Sequence, residues 1–268
     1  MKELLIRTLS GAVLVALIVA GIIVSPWAWF ALELLVVAMG VFEMSRLLHV
    51  EDLLETGEFV TILSFAIAAM VALGVLPDRW LFAELLLLMV PFLVALFSTK
   101  HDFRSVAAFL YGTIAFLAVP AALMVFMYQS RLFGPLAGPR LLLLVFAMLW
   151  VNDTFAYLTG RLLGRHKLFG RISPGKTVEG SIGGLLFTLG GLALLSHLTG
   201  WLSMPVIMGL GIVAVVFGTL GDLSESMLKR QAGVKDSGRC IPGHGGVLDR
   251  FDSVLFAVPF VFVYLLLV

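Results

Sequence analysis

The chain has 268 residues, 60% hydrophobic and 13% charged, with a mean hydropathy of +1.08. Soluble domains carry about 25% charged residues, so the composition excludes an ordinary soluble domain and predicts an all-α, polytopic integral membrane bundle. The net charge of +1 says nothing about partners by itself and no nucleic-acid partner is expected; the single Cys240 excludes an internal disulfide and a cysteine-based zinc site.

Apolar runs long enough to span a bilayer lie at approximately 9–25, 27–46, 59–76, 80–98, 106–128, 139–160, 181–199, 204–220 and 251–268, about nine transmembrane helices. Lys2 and Arg7 give the first run a basic start, but no small-x-small cleavage site follows, so it reads as an uncleaved helix rather than a signal peptide. The first two runs are separated only by the turn around Ser25-Pro26. There is no internal repeat and no low-complexity tract. The chain reads as one membrane-embedded domain over 1–268, in which residues 1–148 are mainly scaffold and 149–268 hold the catalytic spans and loops.

With the N-terminus in the cytoplasm, only Arg79, Arg131 and Arg140 of the eighteen Lys and Arg fall outside. That bias fixes the orientation and puts both polar loops on the cytoplasmic side. Among carboxylates in or near spans, Glu43 and Glu84 lie close enough to span ends to reach the interface, and Glu33 is undecided. Asp153 follows Trp150-Val151-Asn152 inside an apolar run, where an ionisable group is costly and points to function.

The first loop contains Gly170-Arg171-Ile172-Ser173-Pro174-Gly175-Lys176-Thr177, which matches G-x-x-x-x-G-K-[ST] letter for letter. A nucleotide-binding P-loop needs a preceding strand and an α/β domain; here membrane helices run in and out, and Pro174 removes a backbone N–H. Ser173 and Pro174 instead suit the N-cap and first position of a helix. Such a helix start would aim N–H groups and Lys176 at a phosphate or headgroup, although Lys176 as an interfacial cation is the competing reading.

The second loop is denser. If the eighth span continues helically past Gly221, then Asp222, Ser226, Lys229 and Arg230 share one face at i, i+4, i+7 and i+8. Gly243-His244-Gly245-Gly246 needs flexible or left-handed backbone, and Asp249 and Asp252 sit three apart as the last helix begins, where dipole compensation is the plain alternative. Together Asp222, Asp249 and Asp252 suit a hard cation such as Mg²⁺, which takes one or two carboxylates plus substrate phosphates and water. His244 stays open between an acid/base group, a phosphate donor and a loop residue. Cys240 reads as a bystander, with no acid or base arranged beside it by spacing.

The run Ser226-x-x-Lys229-Arg230, Lys235-Asp236-x-Gly238 and His244-Gly245-Gly246-x-x-Asp249-Arg250-x-Asp252 resembles the signature of the phosphatidate cytidylyltransferases (CDP-diacylglycerol synthases), bacterial type. So do Asp153-x-x-Ala156-Tyr157-x-x-Gly160-Arg161 and Ser173-Pro174-Gly175-Lys176-Thr177-x-Glu179-Gly180. The resemblance implies attack of the phosphate of phosphatidic acid on the α-phosphorus of CTP, giving CDP-diacylglycerol and pyrophosphate with Mg²⁺, and possibly K⁺ as a second cation. It implies Asp222 and Asp249 as metal ligands with Asp252 close by, and Asp222, Asp249, Asp252, Lys229 and His244 as the catalytic set. Ser226, Arg230, Lys235, Asp236, Arg250, Asp153, Lys176 and Ser173 are then substrate-binding. It further implies a homodimer in a bacterial inner membrane. Two alternatives are a CTP-dependent polyprenol-type lipid kinase, which would release CDP, and an ion-coupled secondary transporter using Asp153, Asp222 and Glu84.

Overall fold

The structure is a computed structural model and describes residues 2–129, 133 and 138–268; Arg131, one of the three cations expected on the outer side, lies outside them. Among the described residues nine helical stretches are long and apolar enough to cross a membrane: Ile6–Val24, Pro26–Leu47, Glu51–Ala72, Asp78–Phe97, Phe103–Tyr128, Pro139–Leu163, Val178–Thr199, Met204–Gln231 and Leu248–Leu267. The protein is therefore a multi-pass helical membrane protein, since hydrocarbon leaves helices as the way for such segments to satisfy every backbone group. The chain divides into two compact units, Met1–Pro139 with Ala232–Phe251, and Arg140–Gln231 with Asp252–Val268.

In the first unit, α1 (Lys2–Val24) gives way at Ser25 to α2 (Pro26–Leu47). Ser25 is extended, its hydroxyl accepts from the Ala28 N–H at 3.0 Å, and Pro26 opens the helix, the pairing that N-terminal geometry favours. Then come α3 (Leu54–Ala72) and a broken span of α4 (Ala83–Leu87) and α5 (Val90–Phe97), with Pro91 at the start of the second piece. α6 (Phe103–Thr113) runs through a π-helical turn at Ile114–Ala118 into α7 (Val119–Tyr128). Pro120 follows that turn, and its missing N–H accounts for the irregular bonding. The core is fully buried Trp29, Phe65, Phe109, Leu117 and Met124. Thr61 donates to Thr113 at 2.8 Å between α3 and α6, the kind of polar contact that joins helices where solvent cannot drive association.

In the second unit, α8 (Pro139–Leu163) is followed by an antiparallel hairpin, β1 (Lys167–Phe169) and β2 (Ser173–Thr177), then α9 (Val178–Thr199), α10 (Met204–Gln231) and α11 (Leu248–Leu267), whose residues up to Phe251 belong to the first unit. The hairpin corrects the expectation at Ser173-Pro174: those residues are strand, and the next helix starts at Val178. Thr177 is its N-cap, accepting from Gly180 N–H at 3.1 Å. A paired strand competes successfully with helix there because Glu179 holds the incoming chain, accepting from the N–H groups of Arg165 at 3.0 Å and His166 at 3.2 Å. α10 does continue past Gly221. Its 28 residues make a rod of about 42 Å at about 1.5 Å per residue, longer than a hydrocarbon core of about 30 Å. Its polar C-terminal turns thus extend beyond what a membrane needs to cover.

Candidate active site

In the second unit a cleft of about 470 Å³ is lined by Asn152, Asp153, Ala156, Tyr157, Gly160 and Arg161 of α8, Ser173, Gly175, Lys176 and Thr177 of β2, Gly180 and Ser181 of α9, and Thr219 and Asp222 of α10. That volume lies in the range of small-molecule sites. Across it the Lys176 ammonium meets Asp222 Oδ2 at 2.5 Å, and the Ser226 hydroxyl donates to Asp222 Oδ1 at 3.2 Å. Both oxygens of Asp222 are therefore engaged, one by a lysine whose side chain is 27% exposed and can turn to another anion.

Asp252 is buried, takes the Ser253 N–H at 2.6 Å, and lies within electrostatic reach of Asp222, Glu225 and Lys229. The reason is local: a Cβ on Gly221 would sit 2.7 Å from the Asp252 carbonyl oxygen and against Phe256. Only glycine lets α10 and α11 approach so closely, which brings the neighbouring Asp222 beside Asp252. Lys229 is buried and paired with Glu225 one turn before it. Glu225 was missed in the sequence, although it stands at i+3 from Asp222 and i−4 from Lys229 on the same stripe. Arg230 lies apart from the main cleft, donating to the Ile172 carbonyl at 3.4 Å beside a smaller pocket of about 180 Å³ shared with Arg171.

In the first unit, residues 232–251 form the glycine-rich loop and the start of α11. Gly243 and Gly245 have φ of 75° and 84°, and the bridge between Ile241 and Gly245 closes the turn. His244 Nδ1 is 2.8 Å from the Ser10 hydroxyl, so α1 carries one end of the loop. Asp249 Oδ2 accepts from Ser237 N–H at 2.9 Å, Ser237 Oγ at 3.0 Å and Gly246 N–H at 2.7 Å. Lys235, Asp236 and Arg250 are exposed.

One carboxylate differs from its sequence reading. Glu43, expected to reach the interface, is buried, at 1% exposure, and bonded to the loop. Glu84 is half-buried and accepts from Ser64 at 2.6 Å. Spacing to a span end gave no sign of what the loop would bring back to Glu43. Cys240 is exposed, and desolvation of its thiol, with the charge of Glu43 added, pushes its pKa up, away from nucleophilic use.

The sequence expectation gathered Asp222, Asp249 and Asp252 around one ion. The structure brings Asp222 and Asp252 together in the second unit, and gives Asp249 the loop of the first. Among the described residues no group of three or more His, Cys, Asp or Glu side chains is arranged to hold a metal ion. The donor chemistry of the second unit nevertheless suits a hard divalent ion. Asp222 pairs with Lys176 and Glu225 with Lys229, and Asp252 lies within electrostatic reach of Asp222, Glu225 and Lys229; Mg²⁺ ordinarily takes one or two carboxylates from protein.

A family model described as the cytidylyltransferase family matches residues 5–268. Relatives include the phosphatidate cytidylyltransferase of Staphylococcus aureus (strain COL), 44% identical over 154 residues, 57% of this chain and 56% of that protein. Those of Staphylococcus saprophyticus and Staphylococcus epidermidis (strain RP62A) are 43% identical over 154 and 158 residues, with the same coverage. The matched stretch thus spans a little over half the length of these curated relatives.

Proposed function

The chain belongs to the cytidylyltransferase family, and on that premise we propose that it transfers a cytidylyl group from CTP to phosphatidic acid. The products are CDP-diacylglycerol and pyrophosphate. The observation that carries the reading is the cleft of the second unit, where Lys176, Asp222 and Ser226 meet beside buried Asp252. It combines cations for phosphates with carboxylates for a divalent ion, in a protein that also contacts lipid.

The chemistry asks little covalent help from the protein. A phosphate monoester is already a nucleophile, so its oxygen attacks the α-phosphorus directly, and the bond from that phosphorus to the bridging oxygen breaks. Pyrophosphate leaves with the electron pair. Such a reaction is accelerated by positioning and charge stabilisation rather than by a general base. In this reading Asp222 and Asp252 would hold Mg²⁺, and a metal-binding role for Asp249 rests on the family resemblance alone. When bound, the ion supplies charge neutralisation along the CTP phosphates. Lys176 and Arg161 line the cleft and meet the anions of the two substrates. Lys229, held by Glu225, adds positive charge toward the leaving pyrophosphate. Ser226 keeps Asp222 oriented. K⁺ as a second cation, a homodimer, a cytoplasmic N-terminus and placement in a bacterial inner membrane complete the proposal. The orientation rests on the distribution of basic residues and the other three on family resemblance.

The test is direct. Purified protein in detergent, given CTP, phosphatidic acid and Mg²⁺, should release pyrophosphate and form CDP-diacylglycerol, and chelation should stop it. Release of CDP instead of pyrophosphate would assign the chain to phosphoryl transfer.

A further inference from the structure

Glu43 lies on α2, far in sequence from every motif, yet its carboxylate is the centre of the loop's hydrogen bonding. Oε1 accepts from Val247 N–H at 2.8 Å, and Oε2 accepts from Leu248 N–H at 2.9 Å and from Ser237 Oγ at 2.7 Å. A carboxylate at 1% exposure is tolerated only when its oxygens are matched by donors. Here two of the donors are the free N–H groups that open α11, where the helix dipole also favours a negative charge. The surroundings are shaped to admit it: a Cβ on Gly246 would overlap both Glu43 and Ser237.

The Ser237 hydroxyl also lies 3.0 Å from Asp249 Oδ2. One hydroxyl has one proton, so two carboxylates share a single donor, and the shorter contact is the one to Glu43. The orientation of Asp249 therefore follows from where Glu43 holds Ser237 and the first turn of α11.

We propose that Glu43 is the positioning residue of the glycine-rich loop, fixing Ser237, Asp249 and the start of α11 in the geometry that cytidylyl transfer requires. The proposal rests on the reading of the function above. It assigns no contact with substrate to Glu43, which acts through Ser237 and the backbone.

The test uses Glu43→Gln, which keeps the shape and removes the charge, and Glu43→Asp, which restores the charge on a shorter stem. In the full-length protein, Glu43→Gln should lower kcat about 10- to 100-fold with the KM for CTP little changed. Glu43→Asp should recover part of that loss. Two readouts are independent of turnover. Amide exchange of residues 237–249 should quicken in Glu43→Gln. The pH profile of Cys240 alkylation should also move to lower pH, because Glu43 raises that thiol while Arg46 lowers it. Wild-type kcat together with unchanged exchange in Glu43→Gln would overturn the clamp while leaving the proposed reaction standing. A wild-type protein that releases no pyrophosphate would sink the reaction, and exchange and alkylation would still judge the clamp.

Discussion

In the first unit the carboxylates that matter to the loop are met by backbone N–H groups: Glu43 by Val247 and Leu248, and Asp249 by Ser237 and Gly246. In the second unit Asp222 and Glu225 are met by ammonium groups, of Lys176 and Lys229, while Glu179 and Asp252, like the carboxylates of the first unit, take backbone N–H groups. The difference is one of exchangeability. A backbone amide cannot leave without unmaking the turn that carries it, so a carboxylate bound to amides holds structure. A lysine on a flexible stem can trade one anion for another, so a carboxylate bound to lysine marks a place where ligand charge enters. The same residue types thus divide into clamp and cleft according to what donates to them.

The sharpest way to break that division is to neutralise each aspartate. Asp222→Asn should lower pyrophosphate release on the order of 10³-fold, with elution from a sizing column in detergent unchanged. Asp249→Asn should also remove Mg²⁺-dependent release of pyrophosphate from CTP plus phosphatidic acid, with the protein still folded. Wild-type turnover in Asp249→Asn would leave that residue to the loop alone and take it out of the metal set.

Lys176→Met comes next. The loss of one charge-assisted contact, worth about 1.5–3 kcal/mol, should cost roughly 10- to 100-fold, mainly in the KM for CTP and weakening with added salt. A loss confined to thermal stability would mean that Lys176 holds structure like an amide and would blur the contrast.

The smallest effect concerns Asp102, the exposed N-cap of α6, which accepts from Ser105 N–H at 3.0 Å. That backbone bond, with the Ser105 hydroxyl, lowers its pKa from the ordinary 3.8. A depressed carboxylate stabilises the folded state above its unfolded pKa and loses that contribution as pH falls through the folded value. Thermal unfolding of Asp102→Ala should therefore differ slightly from wild type at neutral pH, and the difference should vanish well below pH 3.8. A difference that persists in acid would show that the cap bond is not the cause.

The nine spans were legible because each is a long apolar run, and their order needed nothing beyond hydropathy. The polar stripe of α10 was legible in the same way, from the 3.6-residue period applied past Gly221. Ser173-Pro174 was misread because the local signal for a helix start is the same whether or not a strand is available to pair, and β1 supplied that strand. Glu225 carries a signal in its spacing to Asp222 and Lys229. Glu43 had none, since 194 positions separate it from Ser237.

The sequence by itself determined that this is a helical membrane protein of the cytidylyltransferase kind, because apolar run length and a contiguous motif are both local properties. Tertiary structure alone decided which carboxylate answers to which donor: Asp222 to Lys176, Asp249 to Ser237 and Gly246, Glu43 to the start of α11. The physical reason is that a buried charge must find its donors wherever the packed chain presents them, and neither spacing nor composition encodes that meeting.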